Sequence, residues 1–175
     1  MDEFLPFGSS IYCLILVLLL FARGMDFLST WIATPNLTLE ANPLVRKLGW
    51  GGGSVLNVVL CFVFAAWPLP AIVIITSSLL VAARNFQSAW LMRLLGEEAY
   101  RCWIRGRVSE VSLGLYLFCL LAQTLLIGSI GGALMYFSEW HLIPFAVGTG
   151  IIAYAVAILF FTLLSLGRIR RIGAP

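Results

Sequence analysis

Residues 52–92 read GGSVLNVVLCFVFAAWPLPAIVIITSSLLVAARNFQSAWLM, and the middle of this stretch decides the fold. Taken as one helix it would run about 60 Å at 1.5 Å per residue, twice the roughly 30 Å hydrocarbon thickness of a bilayer. Trp67-Pro68-Leu69-Pro70 lies near its centre. Two prolines remove two backbone donors and disfavour helix at the residues before them, so the stretch divides into two membrane-length helices with a tight connection.

Working outward, apolar runs occupy residues 9–33, 52–67, 70–92, 111–137 and 142–166. Backbone groups inside a bilayer must satisfy one another, and the short alternating segments of a membrane barrel are missing, so the runs read as helices. The expectation is an all-α polytopic bundle of about five transmembrane helices, a single domain over residues 1–175. Composition agrees, with 61% hydrophobic and 11% charged residues where a soluble domain carries about 25% charged. The first run resembles a signal-peptide core, but Asp2 and Glu3 precede it with no Lys or Arg, which reads as a retained first span. The four cysteines are scattered without a C-x-x-C pair, so neither a thiolate metal site nor a disulfide framework is expected.

Basic residues orient the bundle. Arg46 and Lys47 follow the first run, Arg93, Arg101, Arg105 and Arg107 follow the third, and Arg168, Arg170 and Arg171 follow the fifth. Five crossings place these segments on one face and leave the other without a basic residue, so the N-terminus is expected outside and the C-terminus in the cytoplasm. The expected location is a bacterial inner (cytoplasmic) membrane. The expected partners are the bilayer, with anionic headgroups at Arg101, Arg105 and Arg107, and a second membrane protein or copy of this chain, but no nucleic acid. Asn42, Pro43 and Gly49 have the types and order of a cap, a first position and an end for a short surface helix. Beyond Leu95, one face carries Ala99, Cys102 and Trp103 while the other carries Glu97, Glu98, Arg101 and Arg105. This is an interfacial helix or a solvated extension of the third span.

Charged side chains at mid-membrane depth cost about 2.5 to 3.5 kcal/mol each on insertion scales and turn toward the bundle interior. Arg23, Asp26 and Arg84 lie inside apolar runs. At 100° per residue Arg23, Asp26, Thr30 and Thr34 share a stripe, and Thr76, Ser77, Arg84, Gln87 and Ser88 form a second one. Asp26 and Arg84 fall roughly 10 to 13 Å from the basic end of their runs, and Asn57 is about as deep. The first three spans are therefore expected to enclose a polar cluster of Arg23, Asp26, Thr30, Glu40, Asn42, Asn57, Arg84 and Gln87. Two arginines against one aspartate leave a cation unbalanced in low dielectric. Glu40 folding back, or a bound lipid phosphate or carboxylate, would balance it; alternatively the charges only fix helix packing.

Asp26-Phe27-Leu28-Ser29-Thr30, followed by Glu40-Ala41-Asn42-Pro43 and Arg46, resembles the D-x-x-S/T-T … E-x-N-P signature of small multi-span prokaryotic membrane proteins of uncharacterised function. The resemblance covers residues 23–50 and implies that Asp26, Thr30, Glu40, Asn42 and Pro43 belong to one unit. Elsewhere, Gly128 and Gly132 have the small-x-x-x-small spacing of a close helix contact, within the bundle or between protomers. His141, beside Glu139 and Trp140, reads as an interfacial residue. Neither H-E-x-x-H nor G-x-S-x-G occurs, so zinc-protease and serine-hydrolase chemistry have no support. No pattern names a cofactor or a metal site. The reading is a non-enzymatic accessory or small-ligand-binding membrane component. The alternatives are a small-solute or anion transporter, or a membrane enzyme using Asp26 and Glu40 as acid and base or as cation ligands.

Overall fold

Proline, glycine and serine punctuate the described residues into six helices. The computed structural model describes residues 4–39 and 43–172, the side chains of 43–45 and 168–172 excepted. The helices are α1 (Ser10–Ala33), α2 (Pro43–Phe64), α3 (Pro68–Leu95), α4 (Glu97–Glu110), α5 (Leu113–Tyr136) and α6 (Leu142–Ile172). There is no strand among the described residues. Among the described residues five segments are long and apolar enough to cross a membrane: Ser10–Ala33, Arg46–Phe64, Pro68–Leu95, Leu113–Tyr136 and Leu142–Gly167.

The boundaries follow local chemistry. Ser9 caps α1 by accepting the Tyr12 N–H at 3.2 Å, and Ser112 caps α5 by accepting the Leu115 N–H at 3.3 Å. Pro68 and Pro70 stand in the first turn of α3, where a missing N–H has no helical partner to lose. The third span therefore begins at Pro68 rather than 70 and continues to Leu95 rather than 92. Gly49 adopts φ 63° and ψ −174° and breaks α2, so the short helix expected before it does end there. The membrane helix resumes at once, earlier than the expected start at 52. Gly96, at φ 79°, turns the chain from α3 into α4. The segment after Leu95 is thus a separate helix and not an extension of the third span.

α3 is the hub, packed against α1 on one side and α6 on the other, with α5 behind α6 and α2 beside α1. Small residues bring these helices close. Ala71, Ser78, Ala82 and Ala89 are all buried on α3, a stripe at spacings of seven and four that lets a neighbouring backbone approach. Gly150 of α6 meets α3 so tightly that an added Cβ would lie 2.7 Å from the Thr76 Cβ. Gly131 of α5 crosses Gly148 of α6, where an added Cβ would lie 2.7 Å from the Gly148 carbonyl oxygen. Gly128 and Gly132 have open space around them, so the close contact within the bundle uses Gly131 instead of that pair.

At one end, Tyr12, Ile15, Leu19, Cys61, Ala65, Ala66 and Ala71 form an apolar plug between α1, α2 and α3. The Tyr12 hydroxyl donates to the Phe62 carbonyl at 3.1 Å, and the Leu5 N–H donates to the Ala66 carbonyl at 2.9 Å, which ties the N-terminal segment to the α2–α3 turn. The other end holds α4 and the polar groups.

Candidate functional site

Arg23 is held from three helices. Its Nη1 donates to Asp26 Oδ2 at 2.8 Å and to Ser78 Oγ of α3 at 3.1 Å. Its Nε donates to Asn57 Oδ1 of α2 at 2.6 Å, and its Nη2 donates to the same oxygen. Asn57 is oriented for this by donating its own amide to the Gly53 carbonyl at 2.8 Å. Arg23 therefore stays inside the bundle, its charge met by Asp26 and its fork by neutral oxygens.

One turn further along α1, Ser29 is fully buried and donates to the Asp26 carbonyl at 2.8 Å. Asn85 of α3 reaches across to Ser29 Oγ at 3.2 Å and Thr30 Oγ1 at 3.4 Å. Asn85 was not among the expected residues, and neither was Ser78. The signal for both lay in the small-residue stripe of α3, because Ser78 belongs to it and Asn85 falls within about 60° of Ala82 and Ala89.

Arg84 contrasts with Arg23. Its Nη1 is buried and has no hydrogen-bond partner among the described residues. It lines a cavity of about 530 Å³ between α1, α3 and α6, across which α4 lies. The polar lining includes Arg23, Asp26, Thr30, Thr34, Asn85 and Ser88 from α1 and α3, and Tyr100, Tyr116, Thr162 and Ser165 from the later helices. Val81, Ile104, Val108, Ala157, Ile158 and Phe161 supply apolar wall. The charged groups in this lining are two arginines and one aspartate, so the described walls carry one net positive charge.

α4 is fastened over this cavity by one carboxylate. Glu97 Oε2 accepts the Thr34 hydroxyl at 2.9 Å and the Thr38 N–H at 3.1 Å, and also the Thr38 hydroxyl. Its Oε1 accepts the Asn36 N–H at 2.7 Å. Burial alone would raise the Glu97 carboxyl, but these hydrogen bonds from Thr38, Asn36 and Thr34 outweigh it and hold the group below the usual carboxylate range. The clasp joins α4 to the α1–α2 connector, which Trp50 also pins through its Nε1–H to the Pro35 carbonyl at 2.8 Å. Burial pushes the neighbouring Tyr100 phenol upward, consistent with its place in the cavity wall.

Of the expected cluster, Arg23 is brought into direct contact with Asp26 and with Asn57, and Thr30 and Arg84 line the cavity beside them. Glu40 and Asn42 lie outside the described residues. Gln87 is not part of the cluster: it is exposed, and its carbonyl accepts the Trp90 indole at 3.1 Å. The reason is angular, since Val81, Arg84, Asn85, Ser88 and Met92 centre the inward face of α3 and Gln87 is roughly 100° from that centre. Thr76 instead packs on Gly150, and Ser77 bonds its own helix at the Ile74 carbonyl. Glu97 does not share a solvated face with Glu98 and Arg101. Arg105 leaves that face too, its Nε being buried without a partner among the described residues.

Among the described residues no group of three or more His, Cys, Asp and Glu side chains is placed to hold a metal ion. No family model, curated protein or solved structure matches the chain.

Proposed function

We propose that this chain is a multi-pass membrane protein whose cavity binds an anionic ligand on the cytoplasmic side of the bundle, as an accessory or ligand-binding component without chemistry of its own. The observation that carries this reading is Arg84. A guanidinium at this depth with a buried N–H that has no partner among the described residues is costly to leave alone, and the cavity beside it has room for a partner. The lining supplies hydroxyls and an amide around the cation, a composition suited to orienting a polar head within a largely apolar pocket.

The orientation belongs to the same proposal. Positive residues cluster at the end that holds the cavity, which by the positive-inside rule is the cytoplasmic end, in a bacterial inner membrane. The D-x-x-S-T segment supports a shared unit, since Asp26, Ser29 and Thr30 all make contacts that shape this cavity. An enzymatic reading would require Asp26 to act on a ligand, and its salt bridge to Arg23 at 2.8 Å favours a positioning role instead.

The test is to purify the protein from native membranes and identify retained small molecules by mass spectrometry. An anion present in the wild type and depleted by at least about tenfold in Arg84→Gln is the expected result. Equal retention by a folded Arg84→Gln variant would overturn the reading.

A further inference from the structure

We infer that the ligand is an amphiphilic monoanion, a singly charged carboxylate or phosphodiester head on an apolar body. The inference rests on the anion-binding reading above and adds the ligand's charge, size and shape.

Charge comes first. The described lining holds Arg23, Arg84 and Asp26, and the Arg23–Asp26 pair is already closed at 2.8 Å. One positive charge remains, at Arg84. A monoanion neutralises it, whereas a dianion would leave negative charge buried in low dielectric. A carboxylate and a phosphodiester each present two equivalent oxygens, which suits the planar fork of arginine.

Size excludes a bare anion. The cavity is about 530 Å³, and a water molecule's share of the liquid is about 30 Å³, so acetate or phosphate alone would leave most of the space against apolar wall. That volume falls in the range of about 300 to 1,000 Å³ that takes an organic molecule with a substantial apolar part.

The lining is graded along α3 and α6. On α3, Val81 precedes Arg84, Asn85 and Ser88, and on α6, Ala157, Ile158 and Phe161 precede Thr162 and Ser165. Both helices run toward the end that α4 covers, so on both the apolar lining is deeper and the polar lining nearer that end. Met92 and Leu166 are apolar exceptions near the ends of these two helices, and α1 has the other order, with Arg23 and Asp26 deepest and Phe27 and Ala33 nearer the covered end. An amphiphile lying against α3 and α6 has the same order, with its body toward the membrane centre and its head toward the surface and Arg84. No described residue of α5 other than Tyr116, and none of α2 other than Trp50, lines the cavity. At membrane depth the walls are therefore α1, α3 and α6.

The test uses the full chain in nanodiscs of zwitterionic lipid, with empty nanodiscs as the blank. The probes are radiolabelled oleate and lysophosphatidylglycerol, their short counterparts acetate and dimethyl phosphate, and neutral monoolein. At least one long anion should bind saturably, about tenfold or more tighter than its short counterpart and than monoolein. The tighter of the two long probes identifies the head as carboxylate or phosphodiester. Arg84→Gln should weaken that probe about tenfold while Arg84→Lys retains most binding. Ile158→Trp, which fills the apolar wall, should weaken the long probe and leave the short one unchanged. Equal affinity for long and short anions would overturn the amphiphile and leave the anion site standing. Binding of every probe unaffected by Arg84→Gln, in protein with wild-type melting behaviour, would overturn both.

Discussion

Arg23 and Arg84 are the same residue type at similar depth, and their surroundings give them opposite roles. Arg23 is satisfied by Asp26, Asn57 and Ser78, so its removal is a question of stability. Breaking a buried ion pair from one side costs roughly 3 to 5 kcal/mol, and an exposed pair is worth about 1 or less. The Arg23 and Asp26 side chains keep 29% and 17% exposure, so Asp26→Asn should cost on the order of 2 to 4 kcal/mol, read as a lowered melting temperature in detergent. Because the partner is Arg23, the double change Asp26→Asn with Arg23→Gln should recover more than half of that loss. Asp26→Asn with Arg84→Gln should recover less, and the reverse ranking would show that the pairing is wrong. The charges themselves were legible in the sequence, since an arginine or aspartate in an apolar run has few places to go. What could not be read was which arginine Asp26 serves, because Arg23 three residues earlier and Arg84 on another helix satisfy the same charge count. Asn85 and Ser78 escaped notice for another reason: short neutral polar residues are ordinary inside membrane helices, and only the buried phase of Ala71, Ala82 and Ala89 marks their side of α3 as the inner one.

At the scale of elements, five spans were visible in hydropathy and the two prolines, and the structure moves their ends by a few residues for reasons of capping. The placement of α4 was not visible. Its sequence offers two apolar faces, and Trp103 with Cys102 is exposed while Tyr100, Ile104 and Val108 line the cavity. The choice is made by Glu97, whose three partner residues lie about 60 positions earlier in the chain. A folded-state carboxyl held below its usual value adds stability that is present above the unfolded-state pKa and lost as pH falls through the lowered folded value. The exchange protection of α4, corrected for the intrinsic pH dependence of amide exchange, should therefore stay constant from about pH 8 to 5 and fall only below about pH 4. Glu97→Gln should loosen α4 at neutral pH by roughly 1 kcal/mol, since the carboxylate is only partly shielded from water. Faster exchange spread equally over α3 and α6 would contradict a local clasp. A second element-scale prediction concerns the α5–α6 crossing. Gly131→Ala and Gly148→Ala force a methyl against backbone oxygens and should each cost about 1 to 3 kcal/mol, while Gly128→Ala and Gly132→Ala should be nearly neutral in the isolated protein. Equal melting temperatures for all four variants would show that the crossing yields freely.

For the whole molecule, the cavity gathers the last three turns of α1, the start of α2, the last turns of α3, the start of α5 and the late turns of α6. These ends can meet at one place only if successive spans run in alternate directions, which is what five crossings require. Every Lys and Arg outside the spans belongs to a segment at that same end. The opposite end carries Trp67, Glu139, Trp140 and His141 with no Lys or Arg. On insertion, loops rich in Lys and Arg are retained in the cytoplasm, so the cavity end should face the cytoplasm and the apolar plug around Tyr12 and Cys61 the outside. Paired reporter fusions check this directly. Fusions after Trp67 and after Glu139 should report the non-cytoplasmic side, and fusions after Lys47, Arg105 and Arg171 the cytoplasm. The Trp67 junction carries the most weight, because it lies in the two-proline turn that divides residues 52–92 into α2 and α3. A cytoplasmic signal there would mean that α2 and α3 do not cross as a pair. Arg84 would then not lie on a spanning helix, its guanidinium could reach water, and the physical reason for a ligand beside it would disappear.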